Sequence, residues 1–594
     1  MIRISKSPIT SGIGALAAAF ALAVIAAATK GVLRGSSERL LLLVPATSLI
    51  LLPLAAVVHA LVRRRAIDPW RLAILSLVGI AVVVSALDLR WLWAHVSFPA
   101  DILIWSEGDF VNDILKLRVG YPLYTPQANN ESFIYTPGSQ ALTWLISALT
   151  GRQDSIVFYR SVQVAYTVAA AVIATLCCRR LLRLATDRPL ENASLWGALW
   201  LPVLFLISTN ELTNPFVQNL HNDALAQLIS ITAYWILLEY VATRRTRLLI
   251  LMAVMPALGF LVKQSLAQWM VLYFLQLMLL SRPRLPMRAI AVAAGSVLSL
   301  GAVFGLCLLL WGEPFTYWTV TVLKAHPFSP LRSVQHAIDA GAYLAIGIAG
   351  GLLLMHRGPV RILAGPWLIW LIAFAIAAYT SGVAWMLNHL GPVSLIAGVW
   401  FLAGIARVWP ASSFATPGES KVGLDIFMDR WLRPISVALL GFVVLGGLRT
   451  IRPPVPPFSA DAERYVREIE GEFSGHSADS ILLDAGTWVY LADRTIMKDR
   501  APSFGDRGYG EVGDFSGMTE RLRTKRYSKI LVRNLESPDF WYDHYFWRRS
   551  SGIRKALTDN YQVTRTIAAV DSGDIDRPAR YLFREVSVLV PRTP

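Results

Sequence analysis

About thirteen runs of almost pure hydrocarbon side chains occupy most of the first 450 residues. They lie near 12–29, 39–62, 71–93, 155–178, 195–208, 222–241, 247–262, 267–281, 288–311, 338–355, 361–379, 390–407 and 432–449. Most approach the roughly 20 residues that a helix needs to cross a bilayer core. Lipid offers the backbone no hydrogen-bond partners, so such runs fold as helices that satisfy their own amides. Only 16% of the 594 residues are charged, against about a quarter in soluble proteins, and 55% are hydrophobic. The expected fold class is an α-helical polytopic membrane protein.

A formal charge of +16 would suit nucleic acid in a soluble protein. Here the arginines gather at the ends of apolar runs, so orientation in a membrane explains them and no nucleic-acid partner is expected. The basic connections at 63–65, 179–188, 244–247, 282–288 and 356–361 all fall on the cytoplasmic side if the N-terminus is inside and about thirteen runs cross. The connection "KGVLRGSSER" (30–39) is the exception. This parity requires "GSQALTWLISALTG" (138–151) to stay at the surface as an interfacial helix, since it is too short to span. The outer side then receives 94–154, 209–221, 312–337, 380–389 and everything after about 450. These stretches hold most of the Tyr, Asn, His and acidic residues of the membrane region, so function is expected to face outward. The N-terminal run follows a basic start, as in a signal peptide, but with so many later spans it is expected to remain as the first helix. Cys177, Cys178 and Cys307 lie within or at the ends of apolar runs, and no structural disulfide is expected.

Past the proline-rich "RTIRPPVPPFSA" the composition changes. Residues 1–450 are expected to form the membrane unit and 451–594 a soluble α/β domain outside the cytoplasm. In the latter, "DAERYVREIEGEF", "GMTERLRTKRY" and "SSGIRKALTDNY" read as helices, whereas "SILLDA", "KILVRN" and "ARYLFREVSVLV" read as strands.

The outer stretches carry the chemistry. "SEGDFVNDILKLRVGYPLY" (106–124) places Glu107, Asp109 and Asp113 just after an apolar segment. As a helix it would present Phe110, Ile114 and Leu117 on one face and Asp109 and Asp113 on another, lying along the outer leaflet with its acids near water or a cavity. Gly120 and Pro122 would end it. His221, Asn222 and Asp223 open a later run, where an acid is also simply favoured by the helix dipole. Lys263 closes another, either as a phosphate-binding ammonium or as an ordinary snorkelling side chain. Lys324, His326 and Arg332 punctuate an aromatic outer stretch, and Asn388 and His389 precede the 390–407 run.

The pattern from Trp105 to Tyr124, followed by "FIYTPG" (133–138), resembles the first outer loop of the GT-C glycosyltransferases. The protein O-mannosyltransferases and the aminoarabinose transferases of lipid A are the most similar in pattern. The match runs through Glu107, Gly120, Leu123–Tyr124, Tyr135–Thr136–Pro137, Gly151 and Arg160, and departs at Ser106, where many relatives have Asp. The resemblance implies transfer of a sugar from a polyprenyl-phosphate donor to an extracytoplasmic glycan, lipid or protein, with inversion, in a bacterial inner membrane. It implies a carboxylate base, Glu107 first and Asp109 second. It further implies a substrate-binding role for Tyr135, His221, Asp223, Lys263, Asn388 and His389, with Lys324, His326 and Arg332 completing a phosphate clamp. Such chemistry needs a base within reach of the acceptor proton and cations for the departing phosphate. Some members use a divalent metal, but His221 and Asp223 alone are no complete ligand set.

"GYGEVG" (508–513) spells the dinucleotide fingerprint but follows a loop rather than a strand, and is set aside. A transporter or lipid-glycan flippase is the alternative class. It would be expected to carry ionisable groups near the bilayer midplane or internal repeats.

Overall fold

The computed structural model describes residues 69–408 except 102–106, 128–130, 187–192, 211–212, 215, 218, 281–286, 357 and 384–386. It also describes 440–441, 443–444, 460–476, 480–483, 486–493, 495–496, 507, 512–533, 535, 552–568 and 585–593. The expected runs at 12–29 and 39–62, the arginines at 63–65, the linker near 450 and most of 432–449 lie outside these residues.

The apolar runs within them are helices. In chain order these are α1 (Pro69–Val96), α2 (Glu107–Val119), α3 (Gly138–Thr150), α4 (Ile156–Ala185), α5 (Ala193–Ser208), α6 (Asp223–Thr243) and α7 (Arg247–Val262). They continue as α8 (Trp269–Leu280), α9 (Met287–Trp311), α10 (Pro330–Asp339), α11 (Gly341–Met355), α12 (Val360–Thr380) and α13 (Gly391–Val408). Among the described residues five helices are long and apolar enough to cross a membrane, or six if the pair α10–α11, bent by 60°, counts as one. The larger number expected from the sequence is not confirmed. Two expected spans lie outside the described residues, and Trp196–Ser208, Arg247–Val262 and Gln264–Leu280 are shorter apolar helices. The expected outer loop 312–337 is largely helical as well, with a single π-turn at Tyr317–Thr321.

Local sequence sets these boundaries. Ser155 caps α4, its hydroxyl accepting from the Phe158 amide at 3.2 Å. Gly151, at φ 67°, closes α3 in the left-handed conformation that glycine adopts without penalty. At 13 residues α3 is about 20 Å long and falls short of a bilayer core.

Helix α13 is the hub. Its span is 89% buried, whereas α9 is only 17% buried and faces outward along most of its length. Glycines let α13 meet α11 backbone to backbone: a Cβ on Gly350 would stand 2.4 Å from the Phe401 Cα. One on Gly404 would stand 2.5 Å from the Gly350 carbonyl oxygen.

Beyond residue 460 the chain forms a four-stranded sheet in the order β1-β2-β4-β3, from β1 (Ile481–Leu483), β2 (Lys529–Arg533), β3 (Tyr561–Ala568) and β4 (Glu585–Pro591). β1 and β2 are parallel, and β4 runs antiparallel to both β2 and β3. Alternation along β2 divides the core. Ile530 and Val532 pack with Met518, Leu522 and Leu557 of α15 (Ser516–Arg523) and α16 (Ile553–Asn560). Leu531 faces the other way, into a cluster with Tyr465, Ile469 and Phe473 of α14 (Ala460–Phe473).

That second cluster continues into Phe98, Phe110, Val111, Ile114 and Leu115. The α/β unit therefore roofs α2. The sequence predicts this helix along the leaflet with its acids near water or a cavity; instead residues 107–116 of α2 are all buried, and the C-terminal unit packs against its apolar side chains.

Candidate active site

Two charged clusters adjoin one another, the first beneath this roof. The first is built on α2. Glu107 is fully buried and held by Arg160 of α4: Nε donates to Oε1 at 2.8 Å and Nη2 to Oε2 at 2.6 Å. Arg160, also fully buried, spends its other donors on the carbonyls of Phe98 and Ala100. The Leu220 amide donates to Glu107 Oε1 at 3.2 Å, so both carboxylate oxygens are bound. Asp109 lies two residues on, 2% exposed. One turn further, Asp113 accepts from Gln140 Nε2 at 3.3 Å, and the buried Lys116 ammonium donates to the Leu123 carbonyl at 3.0 Å and to that of Glu131. Lys116 thereby pins the loop after α2.

The second cluster gathers residues far apart in sequence. Asp223, in the first turn of α6, receives Lys263 Nζ at 2.6 Å on Oδ1 and Asn388 Nδ2 at 2.9 Å on Oδ2. His221 Nδ1 lies 3.0 Å from the same Oδ2. Lys263 is placed by a break in its helix: its backbone is extended (φ −155°, ψ 126°) between α7 and the 3-10 turn Gln264–Gln268. Tyr135 stands edge-on to His221 with ring centroids 5.1 Å apart, and the Lys263 ammonium is 5.8 Å from its ring. The "YTPG" segment fixes it there. Thr136 Oγ1 donates to the Phe260 carbonyl at 2.6 Å, and a Cβ on Gly138 would stand 2.6 Å from the Leu261 carbonyl oxygen. Tyr124 Oη donates to the Tyr135 carbonyl at 2.6 Å, and burial pushes that phenol well up, so it stays a donor.

A small cavity, about 30 Å³ in volume, opens beside this cluster. Asp223, Lys263, Thr380, Asn388 and His389 line its polar end; Leu266, Ala373, Ala377, Val393 and Ile396 line the rest. His389 Nδ1 lies 3.3 Å from Thr380 Oγ1.

The chain matches no family model and no curated protein. It is similar to solved structures. The oligosaccharyltransferase of Archaeoglobus fulgidus in its apo form is 13% identical over 82% of this chain and 73% of that one, with a TM-score of 0.49. ArnT from Cupriavidus metallidurans bound to undecaprenyl phosphate is 14% identical over 86% and 97%, with a TM-score of 0.48. With both TM-scores below 0.5, the functional reading rests on the side chains instead.

Of the residues expected from the sequence, the structure brings Tyr135, His221, Asp223, Lys263, Asn388 and His389 together. Leu220, between the two clusters, ties them to Glu107. Arg332, on α10, donates to the Gly382 carbonyl at 3.5 Å and does not line the cavity. Lys324 is exposed, and neither it nor His326 lines the cavity. Ser265, Gln268, Trp269 and Thr380 line it without having been singled out, because polar residues inside an apolar run carry no spacing signal.

Among the described residues no group of three His, Cys, Asp or Glu side chains could hold a metal. The donor set itself does not fit one: at Asp223 a fixed cation, the Lys263 ammonium, already sits 2.6 Å from Oδ1.

Proposed function

We propose that this protein is a membrane glycosyltransferase that moves a sugar from a polyprenyl-phosphate donor to an acceptor outside the cytoplasm, with inversion. The supporting observation is the two-ended cavity. A prenyl chain suits its apolar wall, and a phosphate suits the ammonium, amide, hydroxyl and imidazole at its polar end. Lys263 and the donors around it would stabilise the charge that grows on the phosphate as the glycosidic bond breaks.

The base is a carboxylate of α2. Arg160 binds both oxygens of Glu107, which suits that residue to holding α2 in place. We therefore put Asp109 ahead of Glu107 as the group that takes the acceptor proton. General-base catalysis contributes roughly 10²–10⁴-fold. Asp109→Asn should lower sugar transfer by about that factor with protein levels matched, as read by glycan and glycolipid profiling of a complemented deletion strain. Full transfer by Asp109→Asn would remove the assignment. The transporter or flippase alternative is not favoured.

A further inference from the structure

We propose that Arg507, from the C-terminal unit, is a positioning residue that latches this unit onto the outer loop and holds the wall of the cavity in register. Its guanidinium lies between two rings, 5.4 Å from the Trp318 centroid and 4.9 Å from that of Phe515, and is 2% exposed. Its Nη1 donates to the Gln127 carbonyl at 2.7 Å. A cation between two aromatic faces, with a charged hydrogen bond to a carbonyl, is an anchor that two flat surfaces alone would not make.

A glycine makes this docking feasible. Gly513 has φ +100°, and a Cβ there would stand 3.0 Å from Tyr317 Oη and 3.1 Å from Arg507 Cδ. The last glycine of the rejected "GYGEVG" motif is thus explained by close approach to the membrane unit.

From Arg507 the contacts lead inward by two routes. Trp318 Nε1 donates to the Thr125 carbonyl at 2.8 Å, in the loop whose Tyr124 holds Tyr135. Trp318 also sits in the π-turn Tyr317–Thr321, whose Thr319 carbonyl accepts from Gln264 Nε2 at 3.3 Å. Gln264 further donates to the Ile134 carbonyl at 3.0 Å. Gln264 follows Lys263 directly, so both routes end at the polar end of the cavity.

This deepens the reading above by giving the C-terminal unit a part in the site, but its test needs no sugar transfer. In the full chain in detergent, a single cysteine is placed at Thr125 or at Ser265, and its maleimide labelling rate is compared with and without Arg507→Met. The buried Cys177, Cys178 and Cys307 report whether the fold holds. Losing one hydrogen bond and two cation–π contacts should speed labelling about tenfold at both positions. Arg507→Lys, which keeps the charge, should restore a rate near the parent's. An unchanged rate at Ser265→Cys overturns the proposal, whether or not Thr125→Cys labels faster, because the latch would then be local. Should Arg507→Met expose the core cysteines, Phe515→Ala decides. A roughly threefold rise at Ser265→Cys supports the latch, and no change overturns it.

Discussion

Arg160 and Glu107 show how a fully buried charge is tolerated: four hydrogen bonds from the guanidinium reach both carboxylate oxygens and two backbone carbonyls. Removing one partner leaves the other charge buried and uncompensated. Arg160→Met should therefore cost about 3–5 kcal/mol of stability, and Arg160→Met/Glu107→Gln should recover most of it. Arg160→Lys should not rescue, since an ammonium lacks the planar fork. Chemical denaturation of the detergent-solubilised chain measures all three. Sequence reading brought out Glu107 as an acid at a membrane edge. The resemblance also took in Arg160, but that it binds Glu107 from another helix shows only in three dimensions. Asp223 and Lys263 were each legible as a charge at the end of an apolar run, yet their contact at 2.6 Å depends on the helix break at Lys263.

At the scale of elements, hydrophobic runs translated directly into helices. The run at 247–262 is α7, and that at 390–407 is α13 to within a residue at each end. What escaped was structure without a continuous apolar signal. The strand Tyr561–Ala568 was passed over, because five consecutive residues of it face solvent. Helix α10 was taken for loop, since its apolar Leu331, Val334 and Ile338 are spaced along one exposed face between polar residues. The contact between α11 and α13 carries its own prediction. Gly350→Ala drives a methyl to within 2.4 Å of the Phe401 backbone and should cost about 1–3 kcal/mol. Gly79→Ala, in α1 with nothing within 4 Å of the new Cβ, should be neutral or stabilising. Equal losses in thermal unfolding for the two variants would show that the close approach is not what holds α13 in place.

For the whole molecule, the fold places an α/β unit over α2, and a cavity with one polar end is set among the helices. The parity of basic connections predicts that unit outside the cytoplasm, and this orientation is testable at an exposed position. Gly471, on the exposed side of α14 with open space around it, is such a position. Gly471→Cys should react with a membrane-impermeant maleimide in intact spheroplasts; reaction only after permeabilisation would invert the topology. The most direct test of the account is the affinity of the purified full chain for a polyprenyl phosphate, compared with that of Lys263→Met/Asp223→Asn. The paired change removes both charges at once, so that neither is left buried alone. The account predicts saturable binding by the parent and binding at least about tenfold weaker by the double variant, the loss expected for one charge-assisted phosphate contact. Equal affinity in both, or no binding by the parent, would contradict it.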